Sequence, residues 1–243
     1  MSPPTAAAAR SLLCLPLCLC LSCASEPAEP RDGATREQRR NMVEKLDAQY
    51  RIKDARVLEA MSKVRRHMFI PERYRDSCDA YGDRPCPIGH GQTISQPYIV
   101  AYMTERLELE PGERVLEVGT GSGYQAAVLA QLGVKVYSIE ILPELADHAR
   151  AALASEDIKG VKVRTGDGYR GWPEHSPFDA VIATAAPAEV PPVLVEQLRE
   201  GGRMMLPLGT SYQRLVMLRK KRDRLEKDFD IPVRFVPMVR GKD

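Results

Sequence analysis

One stretch limits the fold more than any other: RVLEVGTGSGYQAAVLAQLGVKVYSIEILPE, Arg114 to Glu144. An apolar run stops at three alternate glycines, Gly119, Gly121 and Gly123, and a helical pattern takes over. A second short apolar run then ends in Glu140. This is the outline of a β-α-β unit whose glycine turn lets backbone amides approach a ligand with no Cβ in the way. A P-loop is excluded, because no G-K-[ST] follows the glycines. A dinucleotide turn needs G-x-G-x-x-G, and here the third glycine arrives one residue early. Glu140 stands about twenty residues beyond the first glycine, where a strand-end carboxylate accepts hydrogen bonds from ribose hydroxyls. Glu117, an acid inside the first strand, repels a pyrophosphate and suits a cationic nucleotide. S-adenosylmethionine, with a sulfonium, an ammonium and no phosphate, fits that pattern, so a methyl donor is favoured over NAD.

The surrounding chain supports an α/β fold. From Arg114 onward, the runs RVLEVG, KVYSIE, VKVRTG, FDAVIATAA and RMMLPLG alternate with the helical YQAAVLAQL, PELADHARAALA and VPPVLVEQL. Apolar strands alternating with helices predict a mostly parallel sheet covered on both faces, a Rossmann-like doubly wound arrangement. RLVMLRK and IPVRFVPMV lack an intervening helix and predict an antiparallel edge at the C-terminal end. The basic RKKRDRLEK between them contains Asp223 and Glu226 and reads as a solvated hairpin. Upstream, Val43, Leu46 and Tyr50, then Val57, Leu58, Met61 and Val64, recur at helical spacing, with Asp54 as N-cap of the second helix. The Gly- and Pro-rich residues 80–100 read as a loop, and loops that long inside a compact domain are usually functional. The expected organisation is a leader (1–24), a polar linker (25–40), N-terminal helices with the long loop (41–110), and a nucleotide-binding core with C-terminal strands (111–243).

The leader rests on SLLCLPLCLCLSC, preceded by Arg10 and followed by small residues, a secretory pattern too short to span a bilayer. Cys23 is then a candidate lipid anchor; alternatively, translation begins at Met42 and the leader is not part of the protein. Outside the leader only Cys78 and Cys86 remain. Two cysteines make no framework, so free thiols are expected, although an oxidising compartment would let them close the short CDAYGDRPC loop. The four histidines are scattered without zinc spacing, and no metal is expected. A formal net charge of +2 and 6% aromatic residues give no case for a nucleic-acid partner.

Four segments carry a specific resemblance. ELEPGERVLEVGTGSGY looks like the first motif of class I methyltransferases. Together with GQTISQPYIVAYMTE, GDGYRGWPEHSPFDAVIATAAP and the closing VRFVPMVRG, it resembles the bacterial protein-L-isoaspartate O-methyltransferases from about Met42 to Gly241. GQTIS is the most specific of these elements. The resemblance implies methyl transfer from S-adenosylmethionine to the carboxyl of L-isoaspartyl (and D-aspartyl) residues in damaged proteins. The labile ester would then close to a succinimide and reopen partly to aspartate.

Residue by residue, the resemblance implies donor contacts at Thr93 and Ile94. It makes Ser95 the active-site hydroxyl and a substrate contact. Glu117 would lie near the donor's charged end, with Gly119, Gly121, Gly123 and Tyr124 along its methionine part. Glu140 would hold the ribose, and Asp167 and Gly168 would face the adenine. Thr184, Ala185 and Pro187 would wall the substrate side. Cys86 departs from the aliphatic residue that the family's LPIG carries. The leader also conflicts with a donor made in the cytosol, a charged molecule that does not cross a membrane unaided. Exported and cytoplasmic locations both stay open. So do a class I methyltransferase acting on RNA or a small molecule, and a non-catalytic envelope protein that binds damaged peptides.

Overall fold

The computed structural model describes Met1, residues 32–222 and residues 224–241. The leader beyond Met1, the anchor reading of Cys23 and linker residues 25–31 lie outside the described residues. Among those described, no helix is long and apolar enough to cross a membrane.

Four helices precede the sheet: α1 (Asp32–Ala48), α2 (Ala55–Lys63), the single turn α3 (Glu72–Arg75) and α4 (Pro97–Arg106). Helix α1 starts at Asp32, so residues 32–40 are helical where a linker is expected. They carry no apolar stripe to betray them; Arg40 instead pairs with Glu37 and Glu44 at helical spacing. Burial on α1 begins with Met42 and Leu46. Asp54 caps α2 as its sequence predicts, accepting the Arg56 N–H at 2.8 Å.

The long loop is more ordered than its composition suggests. Strands β1 (Cys86–Gly89) and β2 (Gln92–Ile94) pair antiparallel, and Gly89, His90 and Gly91 turn between them at positive φ. Pro87 and the glycines mask any two-residue alternation, which is why no strand is legible there. Cys78 and Cys86 are joined as a disulfide with their Cα atoms 6.0 Å apart. This corrects the expectation of free thiols: the intervening loop folds back on itself, which spacing alone does not reveal.

The remaining strands are β3 (Arg114–Val118), β4 (Lys135–Glu140), β5 (Val161–Thr165), β6 (Phe178–Ala183), β7 (Leu198–Leu208), β8 (Gln213–Lys221) and β9 (Arg224–Val233). They form one sheet in the order β5-β4-β3-β6-β7-β8-β9. The first five run parallel; β8 and β9 are the expected antiparallel edge, joined by the basic hairpin. Helices α5 (Tyr124–Gln131), α6 (Pro143–Ser155, with Pro143 opening it) and α7 (Pro192–Glu196) connect parallel strands.

Alternate residues of each strand feed two apolar layers. Val115, Val136 and Ile182 join the layer that also holds Met42, Leu46, Val57, Met61 and Phe69. Leu116, Ile139, Val181 and Phe178 face the other layer with Leu194 and Leu198. The N-terminal helices therefore share one core with the sheet, and residues 41–110 form no separate domain. Glu117 occupies the first layer by register and is fully buried there.

Candidate active site

The strand order reverses beside β3, which has β4 on one side and β6 on the other. A crevice opens at such a point, beyond the carboxyl ends of the two strands. The first cleft lies there, with a volume of about 230 Å³. Its walls include Val118, Glu140, Leu142, Gly168, Thr184 and Met238.

Backbone demands explain the glycine turn. Gly119 has φ of 99°, and a Cβ there would run into Thr184 Oγ1, whose hydroxyl donates to the Gly119 carbonyl. Gly121 lies in the cleft wall, and its N–H donates to Glu140 Oε2 at 2.7 Å. Leu142 N–H donates to Glu140 Oε1 at 3.1 Å. These two bonds fix the carboxylate while each oxygen keeps lone-pair capacity for a further donor. Gly123 does not border the cleft; it opens α5 at φ of 88° and stands against Ala149 of α6, so its smallness serves helix packing.

A second cleft of about 360 Å³ adjoins the first, lined by Ser95, Gln96, Ile99, Arg234 and Phe235 among others. A neck of about 30 Å³ lies between Thr93, Ile94, Ser95, Gly119, Gly121 and Thr184. Thr93 and Thr184 border all three spaces, and Val236 and Pro237 border both large ones. Two compartments thus meet at a hydroxyl-lined gap. The loop bearing Ser95 is held by Arg66, a fully buried guanidinium that donates to the carbonyls of Ser95 at 3.0 Å, Arg84 at 3.3 Å and Ala80. Burial lowers the Arg66 pKa below its ordinary value.

Several expected site residues are placed differently. Glu117 borders neither cleft. Its Oε2 accepts the Ser138 hydroxyl, Ser138 lies 2.6 Å from Thr120 Oγ1, and Thr120 borders the neck. Burial pushes the Glu117 carboxyl up to about 8, with the Glu140 charge adding to the shift against the Ser138 hydrogen bond. Glu117 is therefore protonated at neutral pH, and its Oε1 is buried without a hydrogen-bond partner. Tyr124 borders the neck but belongs to the core, 5.8 Å from the Phe69 ring and 5.7 Å from the Arg66 guanidinium. Burial raises its phenol pKa. Asp167 uses its carboxylate to cap the Gly168–Arg170 turn, accepting Tyr169 N–H at 2.8 Å, while Gly168 lines the first cleft. Pro187 is buried with its carbonyl accepting Gly209 N–H at 3.0 Å; Thr184 and Ala185 are the lining residues of that segment.

Other lining residues were not anticipated. Residues 236–239 run beside the end of β6, where Ala186 N–H donates to the Val236 carbonyl and Met238 N–H to the Ala186 carbonyl, both at 2.8 Å. Ile141, Leu142 and Leu145 add an apolar wall directly after Glu140. The apolar pair following the strand-end acid was the available signal. Nothing in the C-terminal residues marks their return to the sheet's switch point.

The first cleft's chemistry suits a cationic, phosphate-free nucleoside. Its ionisable lining residues are Glu140 and His90, and neither supplies the fixed cation that a pyrophosphate needs. Apolar walls and a ribose-competent carboxylate fit S-adenosylmethionine. Among the described residues no His/Cys/Asp/Glu cluster could hold a metal.

Comparison with known proteins agrees with this geometry. The sequence profile of the family described as "Protein-L-isoaspartate(D-aspartate) O-methyltransferase (PCMT)" matches residues 37–243. A protein-L-isoaspartate O-methyltransferase of Gloeobacter violaceus is 53% identical over 188 residues, which is 76% of this chain and 91% of that one. The Anaeromyxobacter dehalogenans protein of the same name is 55% identical over 193 residues, 77% of this chain and 91% of its own. Among solved structures, a putative protein-L-isoaspartate O-methyltransferase from Plasmodium falciparum in complex with S-adenosyl-L-homocysteine superposes with a TM-score of 0.73 at 27% identity. That match covers 84% of this chain and 99% of the other.

Proposed function

We infer that the chain, which belongs to the protein-L-isoaspartate(D-aspartate) O-methyltransferase family, methylates isoaspartyl residues for protein repair, using S-adenosylmethionine. We propose that the first cleft holds the donor, the second holds the peptide, and Ser95 positions the carboxylate at the neck between them. One observation carries this assignment: Thr93 and Thr184 border both clefts and the gap that joins them.

When bound, the donor supplies a methyl group on a sulfonium, an electrophile that needs no metal or acid. A carboxylate with a pKa of about 4 is already ionised at neutral pH, so no general base is required. The residues' task is to hold an oxygen in line with the methyl, about 3 Å away, and to exclude water. Charge disappears as the anion meets the cation, so a full positive charge at the reacting oxygen would stabilise the start more than the transition state. Neutral hydroxyls avoid that penalty, and Thr93 and Ser95 supply them at the neck, whereas the Thr184 hydroxyl donates to the Gly119 carbonyl. Glu140 anchors the ribose, with Gly121 and Leu142 holding its carboxylate in place. His90 borders the donor cleft and not the peptide cleft, consistent with a wall residue.

Incubation with methyl-labelled donor and two synthetic peptides, one isoaspartyl and one aspartyl, tests the reading. Base-labile label is expected on the isoaspartyl peptide alone. Ser95→Ala should lower kcat about 5- to 100-fold, the value of one positioning hydrogen bond in a dry site, and leave donor affinity unchanged. An unaltered kcat in this variant would remove Ser95 from its role.

A further inference from the structure

The peptide cleft carries one ionisable side chain among its lining residues, Arg234, and the proposed reaction does not use it. Arg234 is exposed, and among the described residues its guanidinium has no hydrogen-bond or ion-pair partner. Its backbone position is nevertheless fixed. Neighbouring Phe235 is clamped by Gln213, accepting from Nε2 at 3.0 Å and donating to Oε1 at 2.5 Å. One residue further, the Val236 carbonyl is tied to Ala186. Gln96, a neighbouring lining residue, is turned to Asp83, donating from Nε2 at 3.4 Å, and Asp83 also accepts Tyr98 N–H at 2.8 Å. Arg234 thus presents an uncompensated cation on an anchored strap.

Location decides what that cation can serve. The neck is bordered by Thr93, Ser95 and Thr184 but not by Arg234, so the charge stands away from the point where methyl donor and carboxylate meet. We propose that Arg234 is a specificity-determining residue for a second carboxylate on the peptide. It favours damaged segments in which an acidic side chain flanks the isoaspartate within a few residues. The proposal rests on assigning the second cleft to the peptide. A guanidinium at a solvated rim attracts such a side chain without touching the reacting oxygen, and acts mainly on encounter and binding.

The test uses the full chain and three isoaspartyl peptides of equal length, flanked on both sides by Glu, Gln or Lys. At low salt, kcat/KM should follow Glu over Gln over Lys, with the first step about three- to fivefold, the range of an exposed ion pair. Arg234→Gln should bring the Glu-to-Gln ratio to about one, Arg234→Lys should keep it above one, and Arg234→Glu should invert it. The preference should also fade at 1 M salt, where the screening length is about 3 Å. Melting curves with S-adenosylhomocysteine confirm that each variant is folded. An unchanged ratio in Arg234→Gln overturns the proposal, as does an equal fall in kcat with all three peptides, which would place the guanidinium on the reacting carboxylate. Label without any flank preference in the wild type sinks the role of Arg234 alone; no label on any isoaspartyl peptide sinks the assignment of the cleft as well.

Discussion

Glu117→Gln isolates the effect of the buried acid on β3. Glutamine keeps the shape and can still accept from Ser138, but it does not titrate. In the wild type the folded carboxyl titrates at about 8 instead of the ordinary 4.5, chiefly because burial disfavours the anion. A raised acid means that the folded state holds a proton which the unfolded state has released. This stabilisation of the protonated native form is therefore lost as pH climbs from about 4.5 toward 8. At 1.36 kcal/mol per pH unit, the loss between pH 5 and pH 8 is on the order of 3–4 kcal/mol. It is a ceiling, since water entering near Thr120 would solvate the anion.

Chemical denaturation of both proteins across this range gives the stability difference, wild type minus variant, from which other titrating groups largely cancel. The difference should fall with rising pH by roughly 2–4 kcal/mol. Donor binding supplies a second readout. Glu117 borders neither cleft, so calorimetry of donor binding at pH 6.5 in two buffers should count no proton released by the wild type or by Glu117→Gln. A flat stability difference would show that Glu117 ionises with an ordinary pKa. A proton released by the wild type alone would show that Glu117 ionises as the donor binds.

Two further substitutions test the frame around the site. Gly119→Ala places a Cβ against Thr184 at a φ that side chains rarely adopt, and should cost about 1–3 kcal/mol together with most donor affinity; normal titration of S-adenosylhomocysteine would contradict it. Cys86→Val together with Cys78→Ala removes the eight-residue closure and should lower stability by about 2.5 kcal/mol under oxidising conditions. Reductant should then have no effect on the variant's melting temperature, and a wild type indifferent to reductant would show the bond to be energetically idle.

Strands were the most legible feature, because Val115, Val136 and Val181 sit in short apolar runs separated by helical spacing. The glycine turn was legible as well, since Gly119 and Glu140 combine a backbone demand with a charge at a fixed interval. What escaped were features set by tertiary placement. The polar start of α1 shows no stripe because it buries almost nothing before Met42. The β1–β2 hairpin hides behind Pro87 and its glycines. Glu117 looks like a ligand carboxylate in sequence; its register on β3 sends it into the core layer instead, where a proton compensates for lost hydration. Asp167 reads in sequence as a binding acid, and the capping of Tyr169 N–H by its Oδ1 was not legible there.

The strap of residues 236–239 also bears on how this enzyme comes into being. Its fastening to Ala186 makes the tail of the polypeptide a wall of both chambers, so every residue of the glycine turn can be in place while the chambers still gape. A chain broken just before Val236 would keep every strand of the sheet and lose a wall of both chambers.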